Sequence, residues 1–262
     1  MNSSVSRTDP GPAPDKPGGE RAGQASPVEA AQSLVGVAAV VTGASRGIGR
    51  AIASALTAAG ARVLAVSRTG VRGAADGIVD VTLDLTKPGN TAAAVRAAER
   101  EFGRSPDVLV NNAGAFFIAP VADTLPDSFD RMLALNLSVP FRLVHAFLPG
   151  MRERGRGHIV TLGSIADHIP FPGNGAYAAS KFGLRGLHEV LRAEIGGSGV
   201  RATLISPGAV DTSLWDELTP PVRASFPAAE AMLAASDVAE AVLYALTRPA
   251  RVSVDEIRLS PG

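Results

Sequence analysis

Two uncommon residue types stand four positions apart in a stretch with helical periodicity. The chain has two tyrosines and three lysines, and one of each forms the pair Tyr177 and Lys181. Residues four apart share one face of a helix, so the two side chains are expected to point the same way. A nearby positive charge lowers the pKa of a phenol from its usual value of about 10. The pair could therefore move a proton near neutral pH.

Two more polar residues could act with this pair. Ser164 follows a predicted strand, and ligands of open parallel sheets bind beyond the carboxyl ends of the strands. Its hydroxyl could hydrogen-bond a substrate oxygen and stabilise negative charge that develops there. Asn136 interrupts a strongly apolar helical stretch, as either a satisfied buried amide or a functional one.

The elements that must position these residues alternate along the chain from Leu34. Predicted strands are 37–41, 63–66, 78–83, 108–110, 158–162, 202–205 and 257–259. Predicted helices are 48–59, 90–102, 126–151, 176–196 and 236–247. Continuous apolar strands are typical of parallel sheets covered on both faces. The alternation predicts a single doubly wound α/β domain over 34–262.

A glycine-rich loop follows the first predicted strand directly and leads into an alanine-rich helix. Its residues are Gly43, Ala44, Ser45, Arg46, Gly47, Ile48 and Gly49. Such a loop lets the backbone approach a pyrophosphate, and the following helix N-terminus offers free N–H groups and partial positive charge. Because glycine-rich turns also serve packing alone, the loop by itself is a moderate indication of dinucleotide binding.

Taken together, these motifs resemble the short-chain dehydrogenase/reductase family, in its small single-domain branch, over roughly 34–260. The resemblance implies a Rossmann fold with a parallel seven-stranded sheet and helices on both faces. It implies an oxidoreductase that interconverts a ketone or aldehyde and an alcohol by hydride transfer, with Tyr177 as general acid and base. The implied catalytic residues are Asn136, Ser164, Tyr177 and Lys181.

The resemblance also assigns roles within the site. Lys181 would hold the nicotinamide ribose, and Asn136 would anchor a water that links Lys181 to solvent. Tyr177, Lys181 and the glycine loop would contact the cofactor. Further implied cofactor contacts follow the later strands and are Asp84, Leu85, Asn112, Ala113, Gly114, Pro207, Gly208, Val210 and Thr212.

The second predicted strand indicates which nicotinamide cofactor binds. NAD sites usually carry an acidic residue at its end, to bind the ribose hydroxyls. Here Ser67 and Arg68 occupy that place, and Arg46 lies in the glycine loop. Because guanidinium groups offer paired donors to phosphate oxygens, the two arginines favour NADP(H). They could instead be ordinary solvated surface arginines.

The substrate is less well defined by the sequence. The segment 211–235 is a candidate lid, and wall candidates are Phe116, His168, Phe171 and Trp215. The chain ending resembles that of 3-hydroxy acid and serine dehydrogenases more than that of 3-oxoacyl-carrier-protein reductases. A 3-oxoacyl thioester reductase is an alternative, and so is a non-catalytic NADP(H) sensor or scaffold. The resemblance further implies a homodimer or homotetramer.

Composition and missing motifs argue against several other classes of function. The formal net charge is zero, which argues against nucleic-acid binding. The chain has no cysteine, which excludes thiol nucleophiles and Cys-zinc sites, and it has no Gly-x-Ser-x-Gly hydrolase motif. A Pro/Gly-rich segment, 1–33, is predicted to be a disordered tail without a secretory or transit signal. We expect no membrane span, no metal and a cytoplasmic protein.

Overall fold

The computed structural model describes residues 33–73 and 75–262. The predicted tail, 1–33, therefore lies outside the described residues except for Ser33. Seven strands form one parallel sheet, namely β1 (Ala38–Thr42), β2 (Arg62–Ser67), β3 (Ile78–Thr82), β4 (Val108–Asn111), β5 (Gly157–Leu162), β6 (Val200–Pro207) and β7 (Glu256–Leu259). The spatial order is β3-β2-β1-β4-β5-β6-β7. The predicted seven-stranded parallel sheet is confirmed.

Seven α-helices accompany the strands within the described ranges. They are α1 (Gly47–Ala58), α2 (Asn90–Phe102), α3 (Pro126–Leu133), α4 (Val139–Glu153), α5 (Gly175–Ile195), α6 (Pro220–Arg223) and α7 (Ala235–Leu246). Short 3₁₀ turns occur at Val121–Asp123, Ile165–Asp167, Trp215–Glu217 and Ala229–Ala231. The predicted helix 126–151 is two helices joined by a π-helical turn, Ala134–Ser138.

Alternation along each strand sends side chains to two separate cores. Val41 and Val110 face the layer of α1 and α7, where Ile52 and Val242 pack on them. The opposite layer contains α2, α4 and α5. The five inner strands β1, β2, β4, β5 and β6 are thus buried on both sides, while the edge strands β3 and β7 are partly exposed. The helices that carry site residues are fixed on one side of the sheet or the other.

Strand order reverses between β1 and β4, where the chain crosses from one sheet face to the other. β1 pairs with β2 on one side and with β4 on the other. The connections that leave β1 and β4 at their carboxyl ends therefore diverge to opposite faces. Such a switch point leaves a crevice beyond the strand ends, which is where ligands bind in open α/β sheets.

One continuous helical stretch, Pro126–Glu153, is long and apolar enough among the described residues to cross a membrane by length and composition alone. Core helices of folded domains meet the same criteria. Leu143, Phe147 and Met151 of this stretch are buried in the core beneath the sheet. About a third of the apolar window of this stretch is buried within the protein.

Candidate active site

A cavity of about 590 Å³ lies beyond the carboxyl ends of β1, β2, β4, β5 and β6. It extends from the glycine loop past the ends of β2 and β3 on one side and to α5 and the segment after β6 on the other. Side chains from all these elements line it. The cavity therefore occupies the crevice that the strand order opens.

The glycine loop forms one wall of this cavity at the start of α1. Gly43 has a left-handed φ of 69°, which favours glycine. A Cβ on Gly49 would lie 2.3 Å from the Gly43 carbonyl oxygen and 2.4 Å from Asn112 Nδ2. Neither position tolerates a side chain. The remaining loop residues on the cavity wall are Ser45, Arg46, Gly47 and Ile48.

Hydrogen bonds between Thr42 and the chain after β4 fix the base of the crevice. Thr42 Oγ1 accepts from the backbone N–H groups of Asn112 and Ala113 at 3.1 and 3.0 Å. The Asn112 amide donates to the Thr42 carbonyl at 2.8 Å. Asn112, Ala113 and Gly114 all line the cavity. They hold β4 against the glycine loop as well as forming the wall.

The far end of the cavity carries the polar groups that sequence reasoning assigned to the adenosine side. Ser67, Arg68, Asp84 and Leu85 line it together with Arg46. The Ser67 hydroxyl is buried and has no hydrogen-bond partner among the described residues. Buried hydroxyls are nearly always paired, so this orphan fits a polar ligand group. With two guanidinium groups also among the lining residues, that end of the cavity can bind an anionic or polar ligand group.

Asp84 and Arg46 are also held by the protein itself. Asp84 Oδ1 accepts from the hydroxyl and N–H of Thr86 at 2.6 and 3.0 Å, and chiefly the hydroxyl bond lowers the pKa of Asp84. Arg46 Nη1 donates to Ser213 Oγ at 3.2 Å. Arg46 thus connects the glycine loop to the segment after β6.

Three of the four predicted catalytic residues line the cavity. Ser164 follows β5, and Tyr177 and Lys181 lie one turn apart near the start of α5. The Ser164 hydroxyl is close enough to the phenol to act on the pKa of Tyr177. Lys181 Nζ donates to the Leu162 carbonyl at 2.7 Å and lies 5.7 Å from the Tyr177 ring centre. The helix spacing and the end of β5 bring the three groups together as predicted.

Burial sets the protonation of this pair. Burial raises the pKa of Tyr177 to about 12, an effect that the nearby Ser164 hydroxyl opposes and the Asp167 charge adds to. It lowers the pKa of Lys181 to about 8, while the Asp167 charge acts to raise it. The expected lowering of the phenol pKa by Lys181 is wrong for the chain alone. Desolvation disfavours the phenolate more than its neighbours favour it.

Asn136 lies behind the cavity wall instead of on it. Its Oδ1 accepts from Ala115 N–H at 2.8 Å, and its Nδ2 donates to the Ala115 carbonyl and to Ser180 Oγ, each at 3.0 Å. Ser180 Oγ in turn donates to the Tyr177 carbonyl at 2.7 Å. Asn136 therefore connects the chain after β4 to the helix turn that carries Tyr177. Sequence reasoning missed Ser180, which stands next to Lys181 and so shares its helix turn.

The segment after β6 closes the side of the cavity nearest Tyr177. Pro207, at the end of β6, and Gly208, Val210 and Thr212 line the cavity, and the resemblance assigns all four to cofactor binding. Val210 forms a parallel bridge with Leu233, which fixes the start of the candidate lid against its end.

Three of the four wall candidates line the cavity near Tyr177, and one does not. Phe116, Phe171 and Trp215 are on the wall, together with Phe226. His168 is not among the lining residues. Its Nε2 lies 2.9 Å from Glu256 Oε1 and 2.8 Å from Arg185 Nη1. The expectation that His168 touches substrate is corrected, because these charged groups hold its ring on the other side of the loop.

A buried charged network supports Ser164 from behind. Asp167 Oδ2 accepts from the Ser164 backbone N–H at 3.1 Å and from Ser206 Oγ at 2.8 Å. Arg185 Nη1 lies 3.6 Å from Asp167 Oδ1, and the same guanidinium binds both oxygens of Glu256 at 3.0 and 2.8 Å. Sequence reasoning missed this network, which joins the β5 and β6 ends to α5 and β7.

Comparison with known proteins places the chain among related sequences. The family model described as short chain dehydrogenase matches residues 37–222. An uncharacterized oxidoreductase of Staphylococcus aureus (strain MRSA252) is 34% identical over 230 residues, which is 85% of this chain and 96% of that protein. The glycine betaine reductase ATRR of Emericella nidulans is 35% identical over 240 residues. That match covers 87% of this chain, which spans only 19% of that longer relative.

Solved structures of oxidoreductases are also similar to this chain over most of its length. A metagenomic short-chain oxidoreductase in complex with NADP superposes with a TM-score of 0.71 at 32% identity, covering 87% of this chain and 98% of that one. A 3-ketoacyl-(acyl-carrier-protein) reductase from Brucella melitensis, complexed with NADH, gives a TM-score of 0.79 at 27% identity. It covers 88% of this chain and 99% of that one. Chains of this fold thus include complexes with either nicotinamide cofactor.

The pair of Glu256 and Arg185 should make stability depend on pH. The Arg185 hydrogen bonds lower the pKa of Glu256 from 4.5 to about 2. Because the folded pKa lies below the unfolded one, the stabilisation is present above about pH 4.5 and is lost as the pH falls toward 2. We expect Glu256→Gln to lower the free energy of unfolding at pH 7 by about 2 kcal/mol, a value reduced for solvent screening.

Urea denaturation of wild type and variant at pH 7 and at pH 3 measures this difference. The difference in the free energy of unfolding between wild type and Glu256→Gln should be less than half as large at pH 3 as at pH 7. The control is Glu240→Gln, at an exposed position of α7. An equal difference in the free energy of unfolding at both pH values would show that the ion pair does not cause the pH dependence.

Proposed function

This chain belongs to the short-chain dehydrogenase family of oxidoreductases, and on that premise we propose that it is an NADP(H)-dependent enzyme that interconverts a ketone or aldehyde and an alcohol. The observation that carries the proposal is the meeting of Ser164, Tyr177 and Lys181 on the wall of the cavity that the glycine loop also lines. A proton donor, an oxygen-binding hydroxyl and a phosphate-binding loop share one enclosed space. Carbonyl reduction needs these groups together.

The cofactor would lie along the cavity from the glycine loop to Lys181. The free N–H groups at the start of α1 would bind its pyrophosphate. Arg46, Arg68 and the unpaired Ser67 hydroxyl would bind the 2′-phosphate of the adenosine ribose. The end of β2 carries no carboxylate to bind a free 2′-hydroxyl, which supports NADP(H) over NAD(H).

Tyr177 would donate the proton to the substrate oxygen. When bound, NADPH supplies the hydride. The Ser164 hydroxyl would hydrogen-bond the substrate oxygen and stabilise the negative charge that develops on it. Because burial raises the pKa of Tyr177 to about 12, the phenol carries its proton at neutral pH and can donate it to that oxygen.

Lys181 and Asn136 would position the donor. Lys181, whose pKa is about 8, is mostly an ammonium at pH 7 and would supply positive charge beside the phenolate that remains after proton transfer. Asn136 acts through Ser180 on the helix turn of Tyr177. Buried, fully hydrogen-bonded side chains of this kind hold catalytic groups in a single geometry.

We also propose that the chain forms a homodimer or homotetramer through α4 and α5. Large apolar side chains on these two helices are exposed in the single chain, namely Phe141 at 51%, Phe182 at 44% and Val190 at 56%. Burying such groups against a symmetric copy is favourable. Light scattering should give two or four times the chain mass of 26.7 kDa. The mass of a single chain at micromolar concentration would contradict this proposal.

The two tyrosines of the chain allow a matched test of the catalytic assignment. Tyr177→Phe removes the phenolic proton and should lower kcat for ketone reduction by at least about 100-fold. Affinity for NADPH should stay within about twofold, because only one hydroxyl is lost. Tyr244→Phe is the control, since Tyr244 is half exposed on α7, and it should leave kcat unchanged.

Turnover is followed by NADPH absorbance and binding by NADPH fluorescence. Equal turnover in Tyr177→Phe and wild type would contradict Tyr177 as the proton donor. Tight NADPH binding by wild type with no turnover across a broad panel of ketones and aldehydes would favour a non-catalytic NADP(H)-binding protein.

Cofactor preference is tested at Arg68. Arg68→Asp replaces a guanidinium by a carboxylate that repels a 2′-phosphate and can accept from ribose hydroxyls. We expect the ratio of Kd for NADPH to Kd for NADH to rise at least tenfold, about 1.4 kcal/mol. Arg72→Asp makes the same charge change at an exposed position off the cavity wall and should leave the ratio within about twofold. An unchanged ratio in Arg68→Asp would remove the argument for NADP(H).

A further inference from the structure

Five aromatic rings meet at the end of the cavity that holds Tyr177, and we call this set the aromatic wall. Its members are Phe116, Phe171, Tyr177, Trp215 and Phe226. The whole chain has nine phenylalanines, two tyrosines and one tryptophan. Nearly half of all its aromatic side chains thus gather at one place, far more than even scatter through the core would give.

The rings form a connected surface with Phe116 at its centre. The Phe116 ring centre lies 4.9 Å from that of Tyr177, 5.6 Å from Trp215 and 6.3 Å from Phe226, all edge to face. Trp215 and Phe226 lie 4.9 Å apart, and Phe171 lies 6.0 Å from Phe226. These are the separations at which aromatic pairs attract one another. The wall is therefore a packed arrangement.

Backbone contacts hold the wall in place before any substrate arrives. The Trp215 indole N–H donates to the Val210 carbonyl at 2.7 Å, which fixes the ring relative to the β6 end. Phe116 is only 9% exposed. Rings that are already ordered lose little conformational entropy on binding, which favours a ligand that packs flat or edge-on against them.

Charge divides the cavity into two ends. Among the described lining residues, Arg46, Arg68 and Asp84 lie at the adenosine end, and Lys181 stands beside Tyr177. Around the aromatic wall the other lining side chains are uncharged, namely Ser164, Ile165, Ala166, Ala209 and Leu214. The aromatic wall is thus mainly an apolar surface, and an uncharged ring loses less hydration than a charged group when it packs against such a surface.

A positively charged substrate is disfavoured for a different reason. Aromatic rings also bind cations, and tryptophan is the aromatic residue that binds them best. The Arg223 guanidinium already lies over the Trp215 ring, 5.5 Å from its centre. A quaternary ammonium group on that wall would be repelled by this arginine. The rings also contact one another and so do not surround an open central space.

From these observations we propose that the substrate is an aryl ketone or the corresponding aryl alcohol, with a planar uncharged ring that packs on the aromatic wall. The inference rests on the proposed function, because the wall includes Tyr177 and adjoins Ser164. It adds the class of group attached to the reacting carbonyl. It also disfavours ketones with a quaternary ammonium group, because Arg223 lies over the Trp215 ring.

Binding is tested with the full chain and without turnover. Trp215 is the single tryptophan of the chain, so its emission reports events at the wall directly. The probes, added in the presence of NADP⁺, are acetophenone, cyclohexyl methyl ketone and a trimethylammonium ketone. We expect a saturable change in emission with acetophenone at a Kd at least tenfold below those of the other two.

Turnover with NADPH is tested on the same probes with variants of the wall. Phe226→Ala should raise KM for acetophenone at least tenfold and change KM for butanone less than threefold, since butanone has no ring to pack. Phe129→Ala is the control, because Phe129 lies on α3 off the cavity wall, and it should leave both values unchanged.

The outcomes separate the two proposals. Tightest binding and fastest reduction of cyclohexyl methyl ketone or the ammonium ketone would overturn the aryl assignment and leave the oxidoreductase proposal standing. Equal KM changes for acetophenone and butanone in Phe226→Ala would overturn it as well. Tight acetophenone binding at Trp215 with no reduction of any probe would support the aryl subsite and count against the proposed reaction.

Discussion

The hydrogen bonds that Thr42 makes across the switch point are the constraint on which the site depends. Its hydroxyl accepts from the two N–H groups that follow β4 and donates to the Val110 carbonyl at 3.2 Å. The Asn112 amide returns a bond to the Thr42 carbonyl. The connections that leave β1 and β4 diverge to opposite faces. Without the Thr42 hydroxyl the Ala113 N–H would lose its hydrogen-bond partner, at a cost of about 1–3 kcal/mol, whereas the Asn112 N–H also donates to the Val110 carbonyl. Pairing them fixes the width of the crevice between the glycine loop and the residues after β4.

The same closeness explains why the loop is made of glycine. Gly49 packs directly on the Gly43 carbonyl and on the Asn112 amide, so any side chain there would force β4 away from α1. The hydrogen bonds of Thr42 and the glycine loop therefore depend on each other. From it the chain after β4 continues to Ala115, whose backbone is paired with Asn136, and Asn136 reaches α5 through Ser180. The phosphate side and the proton-donor side of the cavity are joined by buried hydrogen bonds.

Local spacing was enough to predict the residues whose positions are fixed by one element. Tyr177 and Lys181 are a helix turn apart, and Ser164 and the glycine loop follow strands, so period and order along the chain place them. The π-helical turn at Ala134–Ser138 could not be predicted, since it accompanies bonds from Asn136 to residues 21 and 44 positions away.

His168 and the phenol pKa show two further limits of local reasoning. His168 lies between Ser164 and Tyr177 in sequence, yet Glu256, 88 residues on, binds its ring away from the cavity. The spacing of Tyr177 and Lys181 predicts that the ammonium group lowers the pKa of the phenol. The direction of the shift, however, depends on how much water the folded chain excludes from Tyr177. Both outcomes depend on partners that the fold supplies from distant segments.

Exclusion of water from the end of the cavity at Tyr177 affects both substrate binding and proton transfer. Phe116 packs edge to face on the Tyr177 ring, and the rest of the aromatic wall encloses the same end of the cavity. Burial is the largest cause of the raised phenol pKa, so the side chains that would bind an aryl group also keep the proton on Tyr177. In such surroundings a hydrogen bond to a developing alkoxide is stronger than in water. Opening this wall would therefore weaken substrate binding and lower the phenol pKa together.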